Sequence, residues 1–357
     1  MLTLNNISKK IGNFQISDIN LKVSDGEYFV ILGKSGAGKS VILELISGLK
    51  LAELGNIALN GVDITKKPIQ KRDVGMVFQN HALFPHMTVK KNIDYAVKYG
   101  RGDFGNDKFG QLCTILGINS LLDRFPETLS PGEAQRVAMA RTLVTNPSVL
   151  LLDEPLSALD TQIRGEIRCL LRKINRGEFN GIRPLTIIHV THDYEEALAL
   201  ATRIAVIERG NITQVGTPDE IFRHPKTEFI ANFVGVKNFY RGRMDQRTAT
   251  FITHDIKKNK ILFYTAKTGA DGEGCIILRS EDITISNNYF ESSARNVFRG
   301  RIIDIENVRS GLEVVVDIGN LFICSLITKI SAENLNLYCG KQTYISFKAT
   351  ACKFIKN

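Results

Sequence analysis

The sequence predicts an α/β fold with a largely parallel sheet over residues 1–235, followed by a small all-β, barrel-like region over residues 236–357. Three observations lead there. Short apolar runs alternate with stretches of helical spacing in the first part, the pattern of strands joined by crossover helices. Three of those runs end in glycines, carboxylates or a histidine, and in such sheets ligands bind beyond the carboxyl ends of the strands. After about Val236 the helical periods mostly vanish, and short β-rich runs parted by Gly, Asn or Asp take over, as in small barrels.

In order, EYFVIL (Glu27–Leu32) is an apolar strand running into a glycine-rich loop, and SVILELISGL (Ser40–Leu49) has helical spacing and ends near Gly48. A short helical segment between Gln79 and Ser130 lies within a helical subdomain at about residues 80–145. SVLLLDEP (Ser148–Pro155) is a buried strand with carboxylates at its exit, and LTIIHVTHD (Leu185–Asp193) is another, ending in His192 and Asp193. Beyond Val236 the strand-like runs are YRGRM, ATFITH, KILFYT, GCIILR, FRGRIIDIEN, LEVVVDIG, LFICSLIT and TYISFKAT. A turn at Ser292–Asn296 splits them into halves, and Ser331–Leu337 reads as a helix inside the second half.

A chain of 357 residues, 43% hydrophobic and 23% charged, is ordinary globular protein of two or three domains. It holds no run of about 18 apolar residues. Its first residues, MLTLNNISKK, lack the apolar stretch of a signal peptide, so a cytoplasmic place is expected. Nucleic acid, anionic lipid or an anionic ligand would each suit the net charge of +9. Lysines scattered over a solvated surface suit it better. No arginine-rich or aromatic–basic run argues for nucleic acid, and none is expected as a partner. Cys113, Cys169, Cys275, Cys324, Cys339 and Cys352 form no CxxC pair and no zinc spacing. They read as reduced, mostly buried thiols.

The chemistry starts at GKSGAGKS (Gly33–Ser40), which fits GxxxxGK[ST] between a predicted strand and a predicted helix. Gly33, Lys34, Ser35, Gly36, Ala37, Gly38, Lys39, Ser40 and the following Val41 form the expected phosphate cradle. Glycines let backbone N–H groups turn inward, and the helix N-terminus adds its positive end. Lys39 is expected to reach the β/γ-phosphates of ATP, and the Ser40 hydroxyl to ligate Mg²⁺. Asp153, at the end of its strand, is placed to hold the magnesium. Glu154 is placed to polarise the attacking water, and His192 to reach the γ-phosphate. Gln79 in VGMVFQN could contact magnesium and water. Taken singly, adjacent acids are often helix caps, a histidine structural and a glutamine surface decoration. With the P-loop present, the catalytic reading is the better one.

GKSGAGKS, FQN, LSPGEAQR, LLLDEP, SALD and THD stand in the order found in ATP-binding cassette (ABC) ATPases, and the first 235 residues or so resemble that family. The resemblance implies a homodimer that sandwiches ATP between one P-loop and the opposite signature loop. Ser130, Gly132 and Glu133 of LSPGE would then serve the partner's nucleotide. Pro131 departs from the usual second glycine; it removes one N–H and fixes φ near about −65°, leaving the Ser130 hydroxyl and the Gly132 N–H. Asp160 of SALD would couple the two sites, and Arg136 would support the signature helix. Where the family places an aromatic residue to stack on adenine, this sequence has Ile11, with Phe14 nearby, and either is open. In importers of this family the stretch NHALFPHMTVKKNI receives a membrane subunit, so Phe84, Pro85 and Met87 are contact candidates; ordinary packing competes.

TPDEIFRHPKTEFIANFVG (Thr217–Gly235) and the tail after it resemble metabolite and anion importers of the family. SSARNVFRGRI (Ser292–Ile302) and LITKISAENLNLYCGKQTYISFKAT (Leu326–Thr350) resemble the molybdate-binding, MOP-like regulatory (TOBE) domain. By that resemblance Ser293, Arg295, Asn296, Thr328, Ser331 and Lys348 fall near an oxyanion pocket, which two chains would complete. Hydroxyls, N–H groups and one cation suit a tetrahedral dianion.

The implied activity is ATP hydrolysis by a subunit peripheral to the cytoplasmic face of the membrane. It would dock two permease subunits, be served indirectly by a periplasmic or surface substrate-binding protein, and import molybdate or tungstate. Sulfate, ferric iron, a sugar or a polyamine are the alternative cargoes. A non-transport cassette acting on DNA or ribosomes is disfavoured by the single P-loop and the lack of heptads. An oxyanion store or sensor with a vestigial ATPase is disfavoured by the complete Lys39, Asp153, Glu154 and His192 set.

Overall fold

The computed structural model describes residues 1–99, 106–178, 184–254, 260–266, 271–308 and 310–356. It falls into two compact units, Met1–His224 and Pro225–Asn357.

The first unit is α/β, as expected, but it opens with strands that the sequence reading missed. β1 (Leu2–Ile11) and β2 (Phe14–Val23) precede β3 (Tyr28–Leu32), α1 (Lys39–Ser47), β4 (Leu54–Leu59), β5 (Val62–Asp63) and β6 (Val74–Val77). α2 (Val89–Tyr99), α3 (Asn106–Ile115) and α4 (Pro131–Leu143) form the helical part. β7 (Val149–Asp153), α5 (Thr161–Arg176), β8 (Thr186–Thr191), α6 (Tyr194–Leu200), β9 (Arg203–Glu208), β10 (Asn211–Gly216) and α7 (Pro218–Arg223) complete it.

Two sheets result. One is six-stranded in the order β10-β9-β3-β8-β7-β6, all parallel except β10. The other is a separate antiparallel sheet, β2-β1-β4-β5. α1 contributes Ile42, Leu43, Leu45 and Ile46 to one core that also takes Leu2, Leu4, Ile7 and Ile19 from the antiparallel sheet and Phe29, Ile31, Leu151 and Ile188 from the parallel one. The central strands are buried on both faces, which is why their sequences read as continuous apolar runs.

α1 is bounded by Gly38 (φ 104°) and Gly48 (φ 89°), both left-handed. Its far end is closed by Arg72, only 1% exposed. The Arg72 guanidinium donates to the carbonyls of Leu45 (2.7 Å), Ile46 (3.0 Å), Thr65 (2.7 Å) and Lys67 (2.8 Å). The last carbonyls of a helix have no intrahelical donors, so this buried cation both satisfies them and meets the negative end of the helix dipole.

The second unit starts with α8 (Glu228–Phe233) and is otherwise β-rich. β11 (Asn238–Asp245), β12 (Thr250–Thr253), β13 (Leu262–Tyr264) and β14 (Gly272–Leu278) come first, then β15 (Thr284–Ser286), β16 (Asn296–Val308), β17 (Gly311–Asp317) and β18 (Phe322–Ile327). α9 (Lys329–Asn334), β19 (Gln342–Phe347) and β20 (Lys353–Lys356) end it. Two antiparallel five-stranded sheets, β13-β12-β11-β14-β20 and β15-β19-β16-β17-β18, enclose one core around Phe251, Phe263, Ile302, Val314 and Phe347. All eight expected runs are strands. The expected split at Ser292–Asn296 is not a clean one, because β15 and β20 each cross to the other half's sheet. The helix also starts earlier than expected, because Thr328 caps it, accepting from the Ser331 N–H at 3.1 Å. No described helix is long and apolar enough to cross a membrane.

Candidate active site

Three neighbouring strands, β3, β8 and β7, deliver their exits to one place. Beyond β3 lies the glycine-rich loop. Gly36 (φ 78°) and Gly38 (φ 104°) take left-handed backbone, which a side chain resists. At Gly38 a Cβ would also come within 2.9 Å of the Phe14 ring. The loop borders a cavity of about 430 Å³, lined by Phe14, Ser35, Gly36, Gly38, Lys39, Ser40, Val41, Gln79 and Glu154. Six of the nine expected loop residues, Ser35, Gly36, Gly38, Lys39, Ser40 and Val41, thus share one space with Gln79 and Glu154, while Gly33 and Lys34 do not line it. Ala37 instead turns into the core. The Gly33 carbonyl accepts from Lys39 Nζ at 2.8 Å, and that of Lys34 at 3.1 Å.

Of the two aromatic-site candidates, Phe14 lines this cavity and Ile11 does not. They pair with each other across the β1–β2 turn.

The charged groups form a chain. Lys39 Nζ lies 3.4 Å from Glu154 Oε1, and Glu154 Oε2 lies 2.7 Å from His192 Nδ1. Glu154 adopts φ 46°, unusual for a residue with a side chain, and its N–H is held by the Val190 carbonyl at 2.9 Å. That contact ties the end of β7 to β8. Ser40 Oγ donates to Asp153 Oδ1 at 2.9 Å. Burial holds the Lys39 ammonium below its ordinary range, against the pull of Glu154. Burial pushes the Asp153 carboxyl up, opposed by the Ser40 hydrogen bond and reinforced by the charge of Glu154. Both shifts express the cost of holding charge away from water.

The exit of β8 has support that the sequence reading did not find. Thr191 Oγ1 donates to buried Glu196 at 2.8 Å and accepts from the Asp193 N–H at 3.0 Å. Arg164 donates to the Leu159 carbonyl at 3.1 Å and lies 3.6 Å from Asp193 Oδ2. These bonds fix the loop carrying His192, half-exposed at its tip. No spacing in the sequence marks Thr191, Glu196 or Arg164 for this work.

The signature loop stands apart from this cavity. Ser130 caps α4: its hydroxyl accepts from the Glu133 N–H at 3.3 Å, and Glu133 Oε2 accepts from the Ser130 N–H at 2.8 Å. This is a capping box, so Glu133 has a local job. Pro131 occupies the first helical position, where its missing N–H is an orphan anyway and its φ suits the helix. Gly132 is buried against α5, where a Cβ would meet Ile163 Cγ2 at 2.6 Å. Arg136 follows on α4, its Nε buried without a hydrogen bond among the described residues. Asp160 caps α5, accepting from the N–H groups of Gln162 and Ile163, each at 3.0 Å.

In the second unit, a cavity of about 500 Å³ is lined by Asp282, Thr284, Ser292, Ser293, Ser346 and Lys348, with Thr350 and apolar neighbours. It gathers two of the six expected oxyanion residues, Ser293 and Lys348, and Asp282 adds a carboxylate to the same rim. Asn296 is 1% exposed and is committed elsewhere: its amide accepts from the Tyr264 N–H at 2.7 Å and donates to the Tyr264 carbonyl at 2.8 Å. The Arg295 guanidinium lies 4.2 Å from the Tyr264 ring centre. Thr328 and Ser331 bond each other at 2.8 Å at the start of α9 and do not line this cavity.

Comparison with known proteins agrees with this geometry. The ABC transporter profile matches residues 16–157 and the TOBE domain profile residues 292–354. The molybdate/tungstate import ATP-binding protein WtpC of Pyrococcus abyssi is 39% identical over 99% of this chain and 99% of its own. The sulfate/thiosulfate import ATP-binding protein CysA of Thermosynechococcus vestitus is 41% identical over 71% of this chain and 75% of its own. Among solved structures, the ATP-binding cassette MJ0796, in a dimeric post-hydrolysis state bound to ADP and Pi, superposes with a TM-score of 0.54 at 28% identity, covering 61% of this chain and 99% of that one. A glycine-lined cradle facing Glu154, which His192 holds from behind, and relatives matching from end to end lead to one conclusion: the chain belongs to the ATP-binding proteins of the ABC transporter family.

Proposed function

We propose that this protein hydrolyses ATP to drive import of an oxyanion, molybdate or tungstate, as a peripheral subunit on the cytoplasmic face of the membrane. The observation that carries the hydrolytic reading is the Lys39–Glu154–His192 chain at the edge of the glycine-lined cavity. The relative that spans both units carries molybdate and tungstate in its name. Sulfate is the competing cargo, since the CysA relative is as similar over the part it matches.

Glycine-loop N–H groups and Lys39 cradle the phosphates, and Phe14 supplies the apolar face for the base. Ser40, Asp153 and Gln79 offer a hydroxyl, a carboxylate and an amide oxygen, a hard-oxygen set that suits Mg²⁺. Bound there, the ion would neutralise phosphate charge. Glu154 orients the attacking water and takes its proton, while His192 holds the Glu154 carboxylate in place and reaches the γ-phosphate. Ser130 and Gly132 serve the nucleotide held by a second copy, as a homodimer requires, and Asp160 joins the two sites. Phe84, Pro85 and Met87 face one of two permease subunits, which a surface binding protein supplies. Residues 1–235 act as the ATPase domain and 236–357 as the regulatory domain. The cavity of Ser293 and Lys348 holds oxyanion, and a second chain completes the pocket; Arg295, Asn296, Thr328 and Ser331 lie outside it.

Uptake by vesicles carrying the ATPase with its permease, holding ATP inside and offered candidate anions outside, tests the whole reading. Uptake of tungstate or molybdate supports it; uptake of sulfate alone moves the cargo. Titration of tungstate into the purified protein tests the second unit, where no heat at millimolar ligand removes oxyanion sensing.

A further inference from the structure

The backbone after Gln79 is held in an unfavourable shape: the His81 N–H donates to the Phe78 carbonyl at 2.9 Å, and one side chain grips the turn at two carbonyls. The Ala82 N–H closes on the Asn80 carbonyl at 2.6 Å, a three-residue turn centred on His81. His81 (φ 60°) and Ala82 (φ 47°) are consecutive non-glycine residues in the left-handed region. Such a conformation persists only where its surroundings impose it.

Arg141, on α4, supplies that imposition. Its Nη1 donates to the Ala82 carbonyl at 2.7 Å and its Nη2 to the His81 carbonyl at 3.0 Å. Its guanidinium also lies 5.6 Å from the Phe84 ring centre. A rigid planar fork fits two successive carbonyls in a way an ammonium cannot. Burial lowers the pKa of the His81 imidazole, opposed by fully buried Gln135 beside it, yet His81 Nδ1 and both Gln135 amide atoms make no well-aligned hydrogen bond among the described residues. Beyond Phe84, the buried Asn92 side chain accepts from the Phe84 N–H at 2.8 Å and donates to the carbonyls of Phe84, Met87 and Thr88, each at 3.1 Å. The segment is thus fastened at both ends, to α4 and to α2, with Gln79 on the cavity at one end and Phe84 at the other.

We propose that Arg141 is a positioning residue for Gln79, acting through the strained His81–Ala82 turn. The proposal rests on the reading that Gln79 faces the nucleotide and its magnesium. With the clamp gone, the turn relaxes and Gln79 loses its placement, while the glycine loop still holds ATP.

The test uses the purified full-length protein at a temperature where circular dichroism shows every variant folded. Arg141→Gln is expected to lower kcat about tenfold, because a displacement of this kind weakens positioning rather than binding. ATP affinity by titration without magnesium should stay within about threefold of the parent. Arg141→Lys should not restore turnover. Ala82→Gly in the Arg141→Gln background should recover most of it, because glycine takes left-handed backbone freely. Parental kcat in Arg141→Gln overturns the proposal. So does a loss that glycine at 82 leaves unchanged or worsens, the mark of a packing defect. Gln79→Ala separates the two layers. If Gln79→Ala keeps parental turnover, the underlying reading fails; if it loses turnover while Arg141→Gln does not, only the clamp fails.

Discussion

His192 Nδ1 and Glu154 Oε2 meet at 2.7 Å, joining the exits of β8 and β7 across the cavity mouth. The other oxygen of Glu154 looks toward Lys39 at 3.4 Å, so both carboxylate oxygens have protein partners. Substitution should therefore separate binding from turnover. Glu154→Gln is expected to cut ATP hydrolysis roughly a hundredfold or more while ATP affinity by titration stays near the parent, and to accumulate a nucleotide-bound dimer in size-exclusion runs. A monomer under saturating ATP would argue against the shared site.

Asp153 carries a stability penalty with a definite sign. Its carboxyl is raised by burial, so the folded protein holds that proton more tightly than the unfolded chain does. Stability from this group falls as pH rises from the unfolded carboxylate range through the raised folded value, and the penalty stands at neutral pH. Asp153→Asn, which can still accept from Ser40, should raise the melting temperature of the nucleotide-free protein at pH 7 by about 2 °C. It should flatten the acid side of the stability profile and abolish turnover. A lower melting temperature in calorimetry would contradict the assignment.

Pro131 and Gly132 should behave oppositely. Pro131→Gly gives up a preset φ at the first position of α4 and should cost about 0.5–1 kcal/mol of stability, with hydrolysis within about twofold. Gly132→Ala pushes a methyl to 2.6 Å from Ile163 Cγ2 and should cost about 1–3 kcal/mol. Trimming Ile163 to Ala in the same protein should return part of that loss. Urea melts of the variants, single and double, decide both.

Arg72→Met should leave the last carbonyls of α1 unsatisfied and cost about 3 kcal/mol. Because α1 carries Lys39 and Ser40 at its other end, ATP affinity should drop as well. Chemical denaturation followed by nucleotide titration of the folded fraction checks both.

In the second unit, Lys348→Met and Ser293→Ala should weaken tungstate binding without lowering the melting temperature. Asn296→Ala should lower the melting temperature instead, since its amide joins the start of β16 to the Tyr264 backbone. Calorimetry against tungstate, with thermal melts alongside, separates the two outcomes.

Much of the site was legible because the chemistry stands at strand exits. Asp153, Glu154 and His192 follow apolar runs buried on both faces and Lys39 follows such a run by way of the glycine loop, so the P-loop motif decided the reading of all four. β1 and β2 were not legible: pairing slips twice, around Ile7, and polar Asn6 and Asp18 sit in left-handed backbone in mid-strand, so alternation breaks down. Arg72, Arg141 and Arg164 were invisible for a different reason. Arg72 and Arg141 are defined by carbonyls, and Arg164 by the Asp193 carboxylate, that they reach across the fold, and an arginine's spacing in sequence says nothing about distant partners. Asn296 belongs to a motif shared by resemblance, yet its amide is spent on the backbone of Tyr264. The resemblance assigns Glu133 and Asp160 to the nucleotide, and each also closes a helix start, a role their position just before or within a first turn already suggests.

β20 pairs with β14, setting Phe354 opposite Ile276. Until β20 is made, the sheet begun by β11 keeps the β14 edge bare. A nonsense mutation that removes only the closing strand would leave β14 open to pairing between molecules, and the damage would show as aggregation.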